Sequence, residues 1–172
     1  MTAPRRASAV ISGNKDLALP FGHPMGVARG GVPAYSSDYD NHDERAPRSR
    51  QGYISFHEGV YCGYKYQCVE FARRWLVQTH RLSFPDVGMA YEILSLPHFI
   101  RVEGETPVPV ARFRNGEATE KPRVGSIIMW RAGGYFRGTG HVAVVTEVEG
   151  DMIKICEQNV YDQHWEGNDF SR

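Results

Sequence analysis

No run of eighteen apolar residues occurs anywhere in this 172-residue chain, and none follows the two arginines at its start, MTAPRRASAVISGNKDLALPFG. Neither a membrane-spanning helix nor a secretory signal is therefore expected. Charge of one sign is equally missing. Lysine plus arginine number 20 and aspartate plus glutamate number 20, so no overall field gathers nucleic acid or holds an anionic membrane. Cysteine is scarce: Cys62, Cys68 and Cys156 are an odd number, without the paired short spacings to histidine that a structural zinc site needs. These absences leave a reduced cytoplasmic protein with free thiols, one domain in size, whose partner is a small or mixed-charge molecule. Neither a metal nor an organic cofactor is called for.

Residues 1–20 mix small, charged and proline positions without a period and read as a flexible leader, with the domain proper over 21–172. Over 21–53, glycines, prolines and charges prevent a helical stripe, so a long wrapping loop is expected, broken by a short strand at 32–35. The clearest helix spans 67–79, where Cys68, Phe71, Ala72, Trp75 and Thr79 recur at helical spacing while Glu70, Arg74 and Gln78 point elsewhere. A second helix is expected at 87–95, entered through Pro85-Asp86 and stopped by Pro97. Runs rich in branched residues at 126–130, 141–148 and 152–157 read as antiparallel strands of one sheet. The segment RAGGYFRGTG between the first two is no phosphate loop, because no helix and no lysine-serine pair follow it. Helices first and strands after give an α+β fold with helices packed on an antiparallel sheet.

One constellation carries chemistry. A thiol in the first turn of a helix meets unpaired backbone N–H groups and the positive end of the helix dipole, which favour thiolate over thiol. Cys68 has that position; its bland reading is a buried core cysteine. His141 opens the most hydrophobic strand just after Gly138-Thr139-Gly140, at the edge of the sheet. With a three-residue hairpin loop at 149–151, Val148 falls opposite Met152, Ala143 opposite Glu157 and His141 opposite Asn159, so the histidine shares a face with both candidate orienting groups. A two-residue loop sends Glu157 to the other side. Taken singly, His141 could be a satisfied strand-end histidine and Glu157 a solvated carboxylate. Arg73 is the flanking cation best placed to steady a thiolate or hold a substrate carboxylate. The acidic run Asp38, Asp40, Asp43 and Glu44 is either a solvated loop or an attractor for a polycation. Cys62 and Cys156 read as structural.

The stretches GYKYQCVEFARRWL, VGSIIMW, TGHVAVVTEV and CEQNV resemble the cysteine, histidine-dependent amidohydrolase/peptidase family. Together with FGHPMGVARGGVPAYSSDY and FPDVGMAYEILSL they are most similar to one branch, the amidase domain found in glutathionylspermidine synthetase/amidase and trypanothione synthetase. The resemblance runs from residue 21 to residue 159. It implies a papain-like fold that hydrolyses the amide between glutathione and a polyamine, with Cys68 as nucleophile, His141 as acid and base, and Glu157 as its partner. It also implies that Gln67 and the Cys68 N–H stabilise the oxyanion, and that Asn159 supports the histidine or the substrate. Members of the branch continue into a synthetase domain, and their amidase domain runs some tens of residues beyond the position of Arg172, so a shortened C-terminal end is expected here. Two rivals stand beside this reading: a peptidoglycan amidase or endopeptidase, and a non-catalytic regulatory or interaction module derived from the amidase.

Overall fold

The computed structural model describes residues 18–167 and 169–172. Among the described residues, ten strands and one α-helix form an α+β arrangement of small antiparallel sheets. β1 (Pro24–Ala28) pairs with β2 (Val32–Tyr35), and β3 (Ile54–His57) with β4 (Val60–Tyr64). The helix α1 (Cys68–His80) follows, then a sheet of β5 (Leu82–Ser83), β6 (His98–Arg101) and β7 (Pro107–Pro109). The last sheet has β9 (His141–Glu149) between β8 (Ile127–Trp130) and β10 (Met152–Cys156).

The expected leader falls mostly on residues 1–17, outside the described residues. Leu19, in the described end of the expected leader, is held: its N–H donates to Asp162 O at 2.7 Å and its carbonyl accepts from Ser36 Oγ at 2.6 Å.

α1 starts one residue later than its periodicity suggests because Gln67 has an extended backbone and serves as the N-cap. It ends where Arg81 turns left-handed, with φ of 54° and its N–H shared between Leu76 O and Val77 O. The apolar stripe is the core side: Cys68, Phe71, Ala72, Trp75 and Leu76 cluster with Val142 and Val144 of β9 and with Cys156 of β10. Burying a side chain such as Phe71 or Leu76 contributes roughly 1.5–3 kcal/mol. Glu70 and Arg74, expected to point away from the core, are nonetheless buried, because the segment before the helix wraps its far side. Glu70 accepts from Arg74 Nε at 2.6 Å, from Ser55 Oγ at 2.7 Å and from Gln158 Nε2 at 2.9 Å, while Arg74 Nη1 donates to Pro33 O at 2.7 Å. A buried ion pair holds only with its remaining hydrogen-bonding positions filled in this way.

The second expected helix is a 3₁₀ segment, Ala90–Ser95. With Gly88 before it and Pro97 after, too few residues remain for α-helical turns to propagate.

The β9–β10 hairpin departs from the expected geometry and reaches the same end. Its loop is two residues, with Met152 opposite Glu149. On an unbroken ladder that register would put Glu157 on the face away from His141. Between Lys154 and Ile155 the register slips by one, since Lys154 faces Glu147 but Ile155 faces Val145. Thr146 is therefore an extra, bulged residue, with Oγ1 3.4 Å from Lys154 O and from Cys156 Sγ. Cys156 then pairs with Val144, and Glu157 follows onto the face shared by Ala143 and His141.

Candidate active site

A cleft of about 760 Å³ opens where the N-terminus of α1 meets the start of β9. Cys68 and His141 line it together with the aromatic side chains of Tyr39, Tyr53, Tyr61 and Phe136. That volume suits a peptide-sized ligand.

Cys68 is the first residue of α1, so the unpaired N–H groups of the first turn surround it. His141 is the first residue of β9, placed there by Gly140. The glycine has φ of +65°, and a Cβ on it would stand 2.6 Å from Trp130 O, so no other residue fits without displacing β8. His141 Nε2 lies 2.8 Å from Glu157 Oε2, and Cys68 is near enough to the imidazole to act on its protonation. With Nε2 facing the carboxylate, Nδ1 is the nitrogen left for the thiol. Phe136 stacks on the imidazole at 4.5 Å with the rings 7° from parallel, and Trp130 packs at 5.4 Å. These two rings fix the imidazole plane.

Burial opposes a charge on His141, but its interactions with Cys68 and Glu157 outweigh it and raise the imidazole from 6.5 to about 9. Glu157 shows the converse. Burial alone would raise its carboxyl, whereas hydrogen bonds from His141 and Arg172 bring it below the usual value. The remaining thiols differ sharply from this environment: burial pushes Cys62 and Cys156 up to about 11. All three cysteines are free.

Of the other expected residues, Gln67 and Asn159 are brought together. Asn159 Nδ2 donates to Gln67 Oε1 at 2.6 Å, and Gln67 Nε2 donates to Tyr39 Oη at 2.9 Å. Asn159 Oδ1 accepts from Ser37 Oγ at 2.8 Å. The Asn159 amide thus meets Gln67 and Ser37, and the carboxylate of Glu157 is what meets the histidine. Arg73 borders the cleft, yet its guanidinium is spent on the fold. It donates to the carbonyls of Cys62 at 2.6 Å, Phe84 at 3.1 Å and Pro85 at 3.1 Å, and only 1% of the residue is exposed. Within the acidic run, Asp43 is engaged by His23 at 2.5 Å and Arg45 at 3.0 Å, and the His23 hydrogen bond is the main reason its carboxyl falls to about 2. Only Tyr39 of that segment lines the cleft.

Sequence reasoning did not single out Ser37, Tyr39, Phe136, Gln158 or Arg172. The one local signal was the polar triplet Glu157-Gln158-Asn159 at the end of an apolar strand. Gln158 Oε1 accepts from Tyr35 N–H at 2.9 Å, and its Nε2 donates to Glu70 and, at 3.3 Å, to Gln67 O, so it clamps this triplet against the head of α1.

Residues 59–159 match the model of the CHAP domain, a span that begins just before β4 and ends at Asn159. The chain belongs to the CHAP domain family. The chain is 43% identical over 148 residues to the bifunctional glutathionylspermidine synthetase/amidase of Escherichia coli K12, an alignment covering 86% of the chain and 24% of that protein. It is 37% identical over 158 residues to the trypanothione synthetase of Crithidia fasciculata, covering 92% of the chain and 23% of that enzyme. A shorter match, 48% over 48 residues, joins it to a putative hydrolase of Streptococcus mutans, covering 27% of the chain and 21% of that protein. The chain thus spans about a quarter of the length of these two relatives. Among the described residues no group of three or more His, Cys, Asp or Glu side chains is arranged for a metal ion, and no helix is long and apolar enough to cross a membrane.

Proposed function

We propose that this chain is a papain-like cysteine amidase that cleaves the amide joining glutathione to a polyamine, as in glutathionylspermidine or trypanothione, through an acyl-enzyme on Cys68. The observation that carries the reading is the relay from Cys68 through His141 to Glu157, buried at the edge of a peptide-sized cleft. A thiol beside an imidazole at a helix N-terminus is set up to form a thiolate and imidazolium pair. The Cys68 sulfur attacks the amide carbonyl, and the negative oxygen that forms is received by the Cys68 N–H and by the second Nε2 hydrogen of Gln67. Tyr39 and Asn159 hold the Gln67 amide from either side. Imidazolium at His141 passes its proton to the departing polyamine nitrogen. Neutral His141 then takes a proton from water as that water attacks the thioester, releasing glutathione and restoring the thiol. Glu157 keeps the imidazole in the tautomer with Nε2 protonated and steadies its charged form. None of these steps calls on a metal or an organic cofactor.

The substrate assignment rests on the names of the relatives, two of which describe synthetases, and a synthetase domain adjoining this unit is part of the proposal. Three free thiols, two of them inert by burial, fit a reducing cytoplasmic setting. The test is release of free glutathione from glutathionylspermidine by the wild-type chain beside Cys68→Ala. Turnover abolished by the substitution is expected. A folded wild type without turnover rejects the assignment and favours a non-catalytic module, while turnover confined to cell-wall peptides favours a peptidoglycan hydrolase.

A further inference from the structure

Arg172 makes a two-point contact with Glu157. Its Nε donates to Oε1 at 2.6 Å and its Nη2 to Oε2 at 3.0 Å. Oε2 is also the oxygen that meets His141 Nε2. The carboxylate, only 3% exposed, therefore stands between two cations when the imidazole is protonated.

The backbone of the segment is anchored independently of that side chain. Ile155 N–H donates to Arg172 O at 2.7 Å, and Ser171 N–H donates to Ile155 O at 2.9 Å. Ser171 Oγ reaches the same carbonyl at 2.8 Å, and Cys156 Sγ lies 3.4 Å from Asp169 O. Residues 171–172 thus run along the open side of β10. The guanidinium carbon lies 5.4 Å from the centroid of the Trp130 ring, the same ring that packs on His141. Backbone pairing, aromatic ring and carboxylate hold Arg172 from three directions.

We propose that Arg172 is a positioning residue of the relay, which fixes the Glu157 carboxylate in the orientation that meets His141 and offsets part of its negative charge. The proposal rests on the reading of Cys68 and His141 as the reacting pair. Without the guanidinium, Glu157 would hold the imidazolium proton more tightly, and a more tightly held proton is a poorer gift to a leaving amine. The ionisable groups that face Glu157 are His141 on β9, Cys156 on β10, Arg172 itself and Tyr161 in the loop that follows, with Cys68 beyond the imidazole. Of these, Arg172 is the permanent cation.

Arg172→Gln and Arg172→Lys in the 172-residue chain test this with two readouts. The first is the rate of Cys68 alkylation by iodoacetamide from about pH 5 to about pH 10, read by mass spectrometry; the second is the pH profile of glutathione release. In Arg172→Gln the alkaline inflection that reports His141 is expected to move up by about half a unit to one unit, and kcat to fall about tenfold, the order of one charge-assisted hydrogen bond. Arg172→Lys keeps the charge and is expected to return the inflection toward the wild-type position while recovering part of kcat. An Arg172→Gln chain with both readouts unchanged overturns the proposal. So does a loss of kcat with the inflection fixed and no rescue by lysine, because that pattern belongs to a tail that merely stabilises the sheet. Alkylation needs no substrate, so a wild type that releases no glutathione rejects the amidase reading while the alkylation profile still decides the role of Arg172.

Discussion

Replacing Glu157 with glutamine puts a number on the relay. In the native chain the His141 imidazole rises from 6.5 to about 9, a preference for the charged form on the order of 3 kcal/mol. Burial works against that rise, so the partners Cys68 and Glu157 supply all of it. Glutamine has nearly the shape of glutamate without its charge, and loss of one opposite charge at hydrogen-bond distance lowers a histidine by about 1–3 units. It also leaves Arg172 facing a neutral amide, so the positive guanidinium pushes His141 further in the same direction. The imidazolium of Glu157→Gln should therefore fail near about pH 6–8 instead of about 9. Because an amide can donate to Nε2 and select the wrong tautomer, kcat should fall by roughly 10³-fold. The assay is the pH dependence of glutathione release, with Cys68 alkylation as the substrate-free control. Stability gives a second check. A folded-state value raised above the unfolded one contributes stability that is fully present below pH 6.5 and is lost as pH rises through about 9. Urea unfolding of the wild type should thus weaken across that window by up to ~3 kcal/mol, and that of Glu157→Gln by clearly less. An alkaline limb of Glu157→Gln that coincides with the wild-type limb would refute the reasoning.

Gln67→Ala removes the proposed side-chain donor to the oxyanion, and kcat should drop by about 10²-fold with KM little changed; steady-state kinetics giving an unchanged kcat would remove Gln67 from the oxyanion site. Gly140→Ala should destabilise the chain by about 1–3 kcal/mol and displace His141, since the new Cβ enters at positive φ against Trp130 O. A urea midpoint and activity equal to wild type would show that β8 yields more easily than the geometry implies.

Where the sequence was legible, a strong local period was the reason. The stripe from Cys68 to Thr79 placed α1 to within a residue at each end, and branched residues placed β8, β9 and β10. Short elements without a period leave no such mark: β3 and β4 precede the helix unannounced, β7 lies within a charged connection, and the 3₁₀ segment at 90–95 falls where the residue spacing suggests a full helix. The hairpin is instructive because two local irregularities compensate. A two-residue loop and a bulge at Thr146 each change the parity of the strand, and no pattern of residue types distinguishes that pair from a three-residue loop with neither. At the site, alternation and helix position anticipated that Cys68, His141 and Glu157 would converge. The partners around them come from distant stretches, Ser37 to Asn159 and Tyr35 to Gln158 for example, and a single sequence carries no local mark of such pairings. Arg73 follows Cys68 by five residues on the same helix, which suggests a role at the site, while the destination of its donors, the backbone carbonyls of residues 62, 84 and 85, is visible only in the structure.

The buried cluster around Glu70 joins Pro33, Ser55, Arg74 and Gln158, positions spread from β2 to the loop after β10. Such a knot cannot close until both ends of the chain have arrived, because a half-assembled version strands a charge away from water. The head of α1, where Cys68 sits, is thereby tied to the most non-local contacts of the fold. In a refolding experiment the pairing of Cys68 with His141 should consequently emerge late, with the global transition, while the helix itself forms early. A nascent or partly opened chain would then expose a cysteine without its imidazole, so proteolytic trimming on either side of residues 59–159 threatens the proposed chemistry well before it threatens the helix.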